Sequence, residues 1–390
     1  MRFIILSVVW SIVLFSCAGK TEQVKAKYVF YFIGDGMGVN QVIGTEMYLA
    51  ELEGRIGTKS LSFTSFPVRN YVTTYSGTNA VTCSAAAGTA LATGTKTQNG
   101  RIGMRQDSSF LYSIAWRAKQ AGKAVGVTTS VAINHATPAV FYAHQPDRQM
   151  YYEIGTDAAK AGFDFYGGAG WKQVFSPHDS SEIDLYSLLR DSGYVIIDHR
   201  RDFLALSTGA GKVVYVQPED CVNPSSLPAA IDRKEGDLTL ADITRKAIQF
   251  LSARNEDGFF LMVEGGIIDW LCHANDGAAA FREVVDFSEA IQVALDFYKA
   301  HPDETLIIVT ADHETGGLAL GNGPYELSLK LLANQKSSII GLTQKLKQLK
   351  KSKGKNLTYP NLQELFKQEC GFGAAVKLSP EEEQLLESEG

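Results

Sequence analysis

Cysteine is scarce in this sequence. Five residues in 390 are too few for a disulfide framework, so stability has to come from a packed core. Neither sign of charge dominates: 43 acidic residues against 37 basic ones leave a net charge of −6, which argues against wholesale binding to the phosphate backbone of nucleic acid. Low-complexity, collagen-like and disordered compositions are also absent, because 45% apolar and 21% charged residues are ordinary for a packed protein. At roughly 100–200 residues per domain, the length allows two or three domains or one large α/β unit. No internal repeat is visible.

No N-terminal stretch is long enough to span a bilayer. Met1-Arg2 is a short basic start, and Phe3 to Ser16 is an almost wholly apolar run of 14 residues. A spanning helix needs about 20, so this run fits the core of a secretory signal. Leu14-Phe15-Ser16-Cys17 resembles a bacterial lipobox, in which the cysteine becomes the lipidated first residue. Phe15 is bulkier than usual there, which keeps ordinary cleavage nearby open, and a buried N-terminal strand is the bland alternative. Residues 1–17 are thus read as a signal peptide of lipoprotein type and 18–27 as a polar tether. The mature chain is expected in the periplasm or outside the cell, held at a membrane if Cys17 is lipidated. Cys83, Cys221, Cys272 and Cys370 would remain in it, and their pairing cannot be read from sequence.

Four apolar runs of strand length stand out: Tyr28–Ile33, Ala124–Val127, Phe259–Val263 and Leu306–Val309. Helical periodicity lies between them. Leu240, Ile243, Ala247, Ile248 and Leu251 recur at spacings of three and four, as do Val284, Phe287, Ile291, Ala294 and Phe297. Strands without polar alternation, separated by amphipathic helices, predict an α/β fold with a mostly parallel central sheet covered on both faces.

The residues just past these strands carry the chemistry. The first strand leads into Gly34-Asp35-Gly36, the second towards His135-Ala136-Thr137, the third ends at Glu264 and the fourth at Asp312-His313. Open α/β sheets bind ligands beyond the carboxyl ends of their strands, so ligands from distant parts of the chain would gather on one edge. Any single acidic strand end could be only a turn or a cap; several together are harder to dismiss. Asp269 and His273, four residues apart, would share one helix face, and a carboxylate with an imidazole suits Zn²⁺. Glu264 offers the hard oxygen that suits Mg²⁺. Adjacent Asp312 and His313 can reach one ion only if the chain turns at the strand end, as Gly316-Gly317 suggests.

Ser84 precedes a run of small residues, Ala85-Ala86-Ala87-Gly88. A serine at such a helix start has unpaired backbone N–H groups beside it, which attract a phosphate and stabilise an alkoxide. The bland reading is an N-cap serine. No histidine is near it in sequence to suggest a hydrolase triad, but a metal could activate the hydroxyl instead. Arg148 could grip two phosphate oxygens with its planar fork, or could only pair with Asp147 at the surface.

From Tyr28 to Gly317, five separated segments in order resemble the alkaline phosphatase family. That resemblance implies hydrolysis of phosphate monoesters through a phosphoserine, with two Zn²⁺ and one Mg²⁺. It implies Ser84 as nucleophile and Arg148 as phosphate clamp. It implies Asp35 bridging the Mg²⁺ and one Zn²⁺, Asp312 and His313 as the other ligands of that Zn²⁺, Thr137 and Glu264 on Mg²⁺, and Asp269 and His273 on the second Zn²⁺. His135 falls at a position beside the Mg²⁺ that is aspartate in some members and histidine in others. Small phosphate monoesters are the implied substrates and a homodimer the implied assembly.

The sequence departs from that pattern. Cys83 stands before Ser84 where aspartate is common, and Trp270 follows Asp269 where some members place a basic residue. The family takes a third ligand for the second Zn²⁺ from a later histidine, and none follows His313. Leu378-Ser379-Pro380-Glu381-Glu382 carries the signature of a helix start. The expectation is a core over 28–323, an insertion over 324–373 and, over 374–390, the start of a core helix whose continuation, with the missing histidine, lies beyond the chain. Within the insertion, Leu342, Leu346 and Leu349 predict a short amphipathic helix, and the six lysines of Lys345–Lys355 read as a solvated face. Two other functions stay open. One is a phosphodiesterase or sulfatase on the same fold, although Ser84–Gly88 lacks the proline and arginine of a sulfatase segment. The other is a phosphate- or metal-binding protein with little activity.

Overall fold

The structure, a computed structural model, describes residues 26–389 except 180, 218–224, 255 and 322–324. The expected signal peptide, Cys17, Cys221 and most of the tether lie outside the described residues. Among those described, no helix is long and apolar enough to cross a membrane.

Seven strands form one sheet: β1 (Tyr28–Gly34), β2 (Ala124–Thr129), β3 (Phe165–Gly168), β4 (Tyr194–Ile197), β5 (Lys212–Val216), β6 (Phe259–Gly265) and β7 (Thr305–Ala311). Their order is β4-β5-β3-β2-β6-β1-β7, and every pairing is parallel. The four long apolar runs became β1, β2, β6 and β7. The other three strands have only four or five residues each, too short to separate from turn and helix by pattern alone.

Alternate residues of each central strand feed two separate cores. Phe30, Phe32, Phe259, Leu261 and Val263 face one side, under the helices Leu240–Ser252 and Gly277–Ala300. Tyr31, Ile33, Val125, Val127, Phe260 and Met262 face the other, under the helices Ser84–Thr93 and Tyr151–Ala161. Burial on both faces is why these strands show no polar alternation. Thr239 starts the helix Leu240–Ser252 with a full capping box to Asp242. At the sheet margin β7 differs, since Leu306 and Ile308 are exposed.

Residues 325–373 add no strand to the sheet. They contribute two short 3₁₀ turns and the helices Ile339–Lys353 and Tyr359–Cys370, and no side chain of the lysine-rich helix is buried. The C-terminal capping signature does start a helix, Pro380–Glu389, with Ser379 and Glu382 bonded reciprocally. Its side chains through residue 388 are exposed or half-buried, so in this structure it lies on the surface rather than in the core. Cys83, Cys272 and Cys370 are free thiols.

Phe287 locks the long helix to the sheet. Its ring meets Phe32 and Phe63 edge-on at 5.9 and 6.3 Å, and a Cβ on Gly265 would come within 2.8 Å of it. Phe287→Ala should therefore cost about 3–5 kcal/mol of stability, read as a lowered urea midpoint at unchanged m-value.

Candidate active site

Parallel register assembles the site. Gly34 of β1 pairs with Gly265 of β6 on one side and Ala311 of β7 on the other, so Asp35 and Asp312 leave their strands at the same level. Thr129 of β2 lies opposite Glu264 of β6, one row below. Gly36 then turns the chain with φ +69°, and its N–H donates to Asp312 Oδ1 at 3.1 Å. A Cβ at Gly36 would come 2.8 Å from Thr315 Oγ1 and 2.9 Å from Asp269 Oδ1. Only glycine fits this turn without strain. After β7, His313 N–H donates to its neighbour's Oδ1 at 2.8 Å, and Gly316 and Gly317 both adopt positive φ. The turn expected at that strand end is present, and both Asp312 and His313 face Asp35.

Ser84 is the first residue of the helix Ser84–Thr93, and Cys83 holds the N-cap position. The N-cap reading of Ser84 is thereby corrected: its hydroxyl points into the cluster, 3.2 Å from His313 Nε2 and 3.5 Å from Asp35 Oδ1. A histidine far away in sequence is thus adjacent in space. His313 Nε2 also lies 3.5 Å from Asp35 Oδ1 and 3.3 Å from Asp312 Oδ2. Thr137 donates to Asp35 Oδ2 at 3.1 Å. Asp269 and His273 share a helix face as expected, with Nε2 and Oδ1 3.5 Å apart, Asp269 buried and His273 largely exposed. Arg148 is half-buried, and its Nη2 lies 3.2 Å from His135 Nε2. Arginine only donates, so the imidazole accepts there. The Arg148 N–H bonds Gly100 O, and the Gly100 N–H donates to Cys83 Sγ at 3.2 Å, which ties the arginine's loop to the start of the serine's helix.

The electrostatics are those of crowded buried acids. Burial, then the charges of Asp312 and Asp269, push Asp35 well above the usual carboxylate range. Burial, then Asp35, does the same to Glu264, and burial raises Asp312 to about 7. His135 is pushed down to about 3 by burial and then by the positive charges of Arg148 and Lys172. Among the described residues Glu264 Oε1 is buried without a hydrogen-bond partner, and His135, accepting at Nε2, carries its proton on the equally unpartnered Nδ1. Two groups have ligand atoms close enough to share an ion: Asp35, Asp312 and His313, and Asp35, His135 and Glu264. Oxygen and imidazole donors gathered with unspent capacity fit divalent cations. Among the described residues, Asp269 and His273 form a pair without a third such ligand.

Several contributors escaped sequence reasoning. Thr129 donates its hydroxyl to Glu264 Oε2. Ser130 Oγ accepts from the N–H groups of Gly266 and Ile267 at 2.9 and 3.2 Å, fixing the turn after β6. Thr315 donates to Asp269 Oδ1 at 2.6 Å. Gln41, wholly buried, holds Thr315 O at 2.8 Å. The first two directly follow Thr128 at the end of β2, so their place at a strand end was the available signal.

Fold and site together define an α/β protein with a candidate cation centre around one serine hydroxyl. The alkaline phosphatase family model matches residues 26–166 and 182–384, and the chain belongs to that family. It is 35% identical over 310 residues to alkaline phosphatase 3 of Bacillus subtilis, covering 77% of this chain and 64% of that protein. It is 32% identical over 363 residues to alkaline phosphatase 4 of the same organism, covering 88% and 74%. The chain thus spans about two thirds to three quarters of these relatives' lengths. The crystal structure of a cold-active alkaline phosphatase from Shewanella sp. superposes with a TM-score of 0.79 at 32% identity, covering 93% of this chain and 84% of that one. A variant of the Antarctic bacterium TAB5 enzyme, with a histidine replaced by glutamate and Mg bound in its M3 site, gives 0.65 at 32% identity over 77% and 82%.

Cation removal should destabilise this chain, because ions that bind only the folded state add to its stability. At 100 times Kd each filled site contributes about 2.7 kcal/mol. Calorimetry of the chelator-stripped chain should give a lower Tm than the same chain with Zn²⁺ and Mg²⁺ restored; equal Tm values would count against cation binding.

Proposed function

We propose that this chain hydrolyses phosphate monoesters through a phosphoserine on Ser84. The observation that carries the reading is the Ser84 hydroxyl, set at a helix start and against Asp35 and His313. Asp35, Asp312 and His313 would hold one Zn²⁺, Asp269 and His273 a second, and Asp35, Thr137 and Glu264 a Mg²⁺ with His135 beside it. The Antarctic relative's variant, in which a histidine is replaced by glutamate, holds Mg in its M3 site, which supports a divalent cation in such a centre. When bound, these cations supply the positive charge that lowers the pKa of the attacking hydroxyl and neutralises the leaving alkoxide.

The chain's own groups do the rest. Ser84 Oγ attacks phosphorus while the bond to the ester oxygen breaks, and water then cleaves the phosphoserine. The positive end of the dipole of the helix Ser84–Thr93 would favour the anion beside Ser84. Arg148 holds the nonbridging oxygens, and His135, as hydrogen-bond acceptor, orients its guanidinium. Asp312 is oriented by the Gly36 and His313 N–H groups.

One observation favours a second reading, a phosphate- and cation-binding chain with slow turnover: among the described residues, Asp269 and His273 have no third ligand beside them. Zinc titration of the 390-residue chain tests this alternative: it predicts one tight and one weak site, and two tight, equivalent sites would remove it.

Ser84→Ala should reduce phosphomonoester turnover by roughly 10³-fold or more and abolish label transfer from a ³²P-monoester to protein. Full turnover by this variant would end the nucleophile assignment. Phosphodiesters and sulfate esters should turn over more slowly than monoesters in the same assay.

A further inference from the structure

Thr315 stands between the two pockets assigned to Zn²⁺. Its side chain is buried, and its Oγ1 lies 2.6 Å from Asp269 Oδ1 and 3.1 Å from His313 Nδ1. A hydroxyl has one hydrogen to give. The shorter contact, to an acceptor-only carboxylate, takes it, so Oγ1 meets His313 as an acceptor. The other neighbour of His313 Nδ1 is Glu314 O at 3.2 Å, again an acceptor. Both partners therefore require the proton on Nδ1. That leaves the Nε2 lone pair facing Ser84, Asp35 and Asp312.

We propose that Thr315 is a positioning residue that couples the two pockets, its single hydroxyl fixing the Asp269 carboxylate in one and the tautomer of His313 in the other. The inference rests on the metal-assisted reading of the site, but its test does not depend on turnover. The hydroxyl is itself held in place: Gln41 Nε2 donates to Thr315 O at 2.8 Å, and the left-handed turn at Gly36 packs against Oγ1. Groups that orient metal ligands are commonly worth about 10–100-fold in metal affinity. One hydroxyl serving two pockets should show that loss in both.

The test is a Co²⁺ titration of the full chain, followed by visible absorption, for wild type, Thr315→Val and Thr315→Ser. Valine keeps the shape and removes the hydroxyl, whereas serine keeps the hydroxyl. Thr315→Val should weaken both Co²⁺ sites by about 10–100-fold, with Thr315→Ser within a few-fold of wild type and circular dichroism unchanged for both. Repeating Thr315→Val on Asp269→Asn should still weaken the remaining pocket. Wild-type affinity in Thr315→Val, equal loss in valine and serine variants, or loss at one pocket only would overturn the coupling. If Thr315→Val does not fold, ¹⁵N-histidine NMR of wild type decides: a protonated Nδ1 on His313 supports the proposal and a protonated Nε2 overturns it. Failure of Ser84→Ala to lose activity would instead overturn the hydrolytic reading and leave these metal titrations to stand or fall on their own.

Discussion

Four carboxylates, Asp35, Glu264, Asp269 and Asp312, are buried within one cluster, and Asp35 and Glu264 have no solvent exposure. Taking a single ionised carboxylate out of water costs several kcal/mol even after the protein relaxes. Hydrogen bonds offset part of that. Thr137 donates to Asp35, Thr129 to Glu264, Thr315 to Asp269, and two backbone N–H groups to Asp312. These donors orient the oxygens without neutralising them. Arg148, the nearby permanent cation, is directed at His135 instead. The cluster therefore either takes up protons, as the raised carboxyl pKa values indicate, or divalent cations. Cation binding has to displace those protons, which links metal affinity to pH.

The scaffold's contribution is rigidity. β1, β6 and β7 are in register through their whole length, so a shift of one strand by one residue would move its carboxylate out of the common level. Burial on both faces makes such a slip costly, because Phe30 and Phe32 of β1, or Leu261 and Val263 of β6, would change sides. The same packing holds Ser84: its helix starts with alanines that allow close approach to the sheet, and a Cβ on Gly88 would come 3.0 Å from Val140. Precision at the rim is thus a property of the two cores beneath it.

This division explains what could be read from the sequence. The strand ends that carry the clustered acids were legible because long apolar runs announce their strands, and several acids at the ends of such runs are harder to explain as turns or caps than any one of them. Asp35, Glu264, Asp312 and His313 were singled out this way, and Asp269 with His273 by helical spacing. The short strands β3, β4 and β5 carry no ligand and too few residues for a pattern. Thr129, Ser130 and Thr315 were illegible for a different reason. Hydroxyl residues are common at strand ends and in turns, and nothing local separates one that orients a carboxylate from one that merely completes a turn. That distinction exists only in three dimensions, where Thr315 lies two residues from His313 in sequence but bonds Asp269, 46 residues away.

The proximity of Ser84 to His313 raises a different chemistry, a serine–histidine–carboxylate relay. Its geometry is wrong here. In such a relay the imidazole takes the serine proton on one nitrogen while a carboxylate on the other nitrogen fixes the tautomer and stabilises the imidazolium. His313 has its carboxylates, Asp35 and Asp312, on the Nε2 side, together with the serine. Among the described residues its Nδ1 meets only a hydroxyl oxygen and a backbone carbonyl, neither of them an anion. One nitrogen facing a hydroxyl and two carboxylate oxygens at 3.2–3.5 Å is a convergence of lone pairs on a common point. Converging donors suit a cation placed among them, whereas a proton relay needs its partners on opposite edges of the ring.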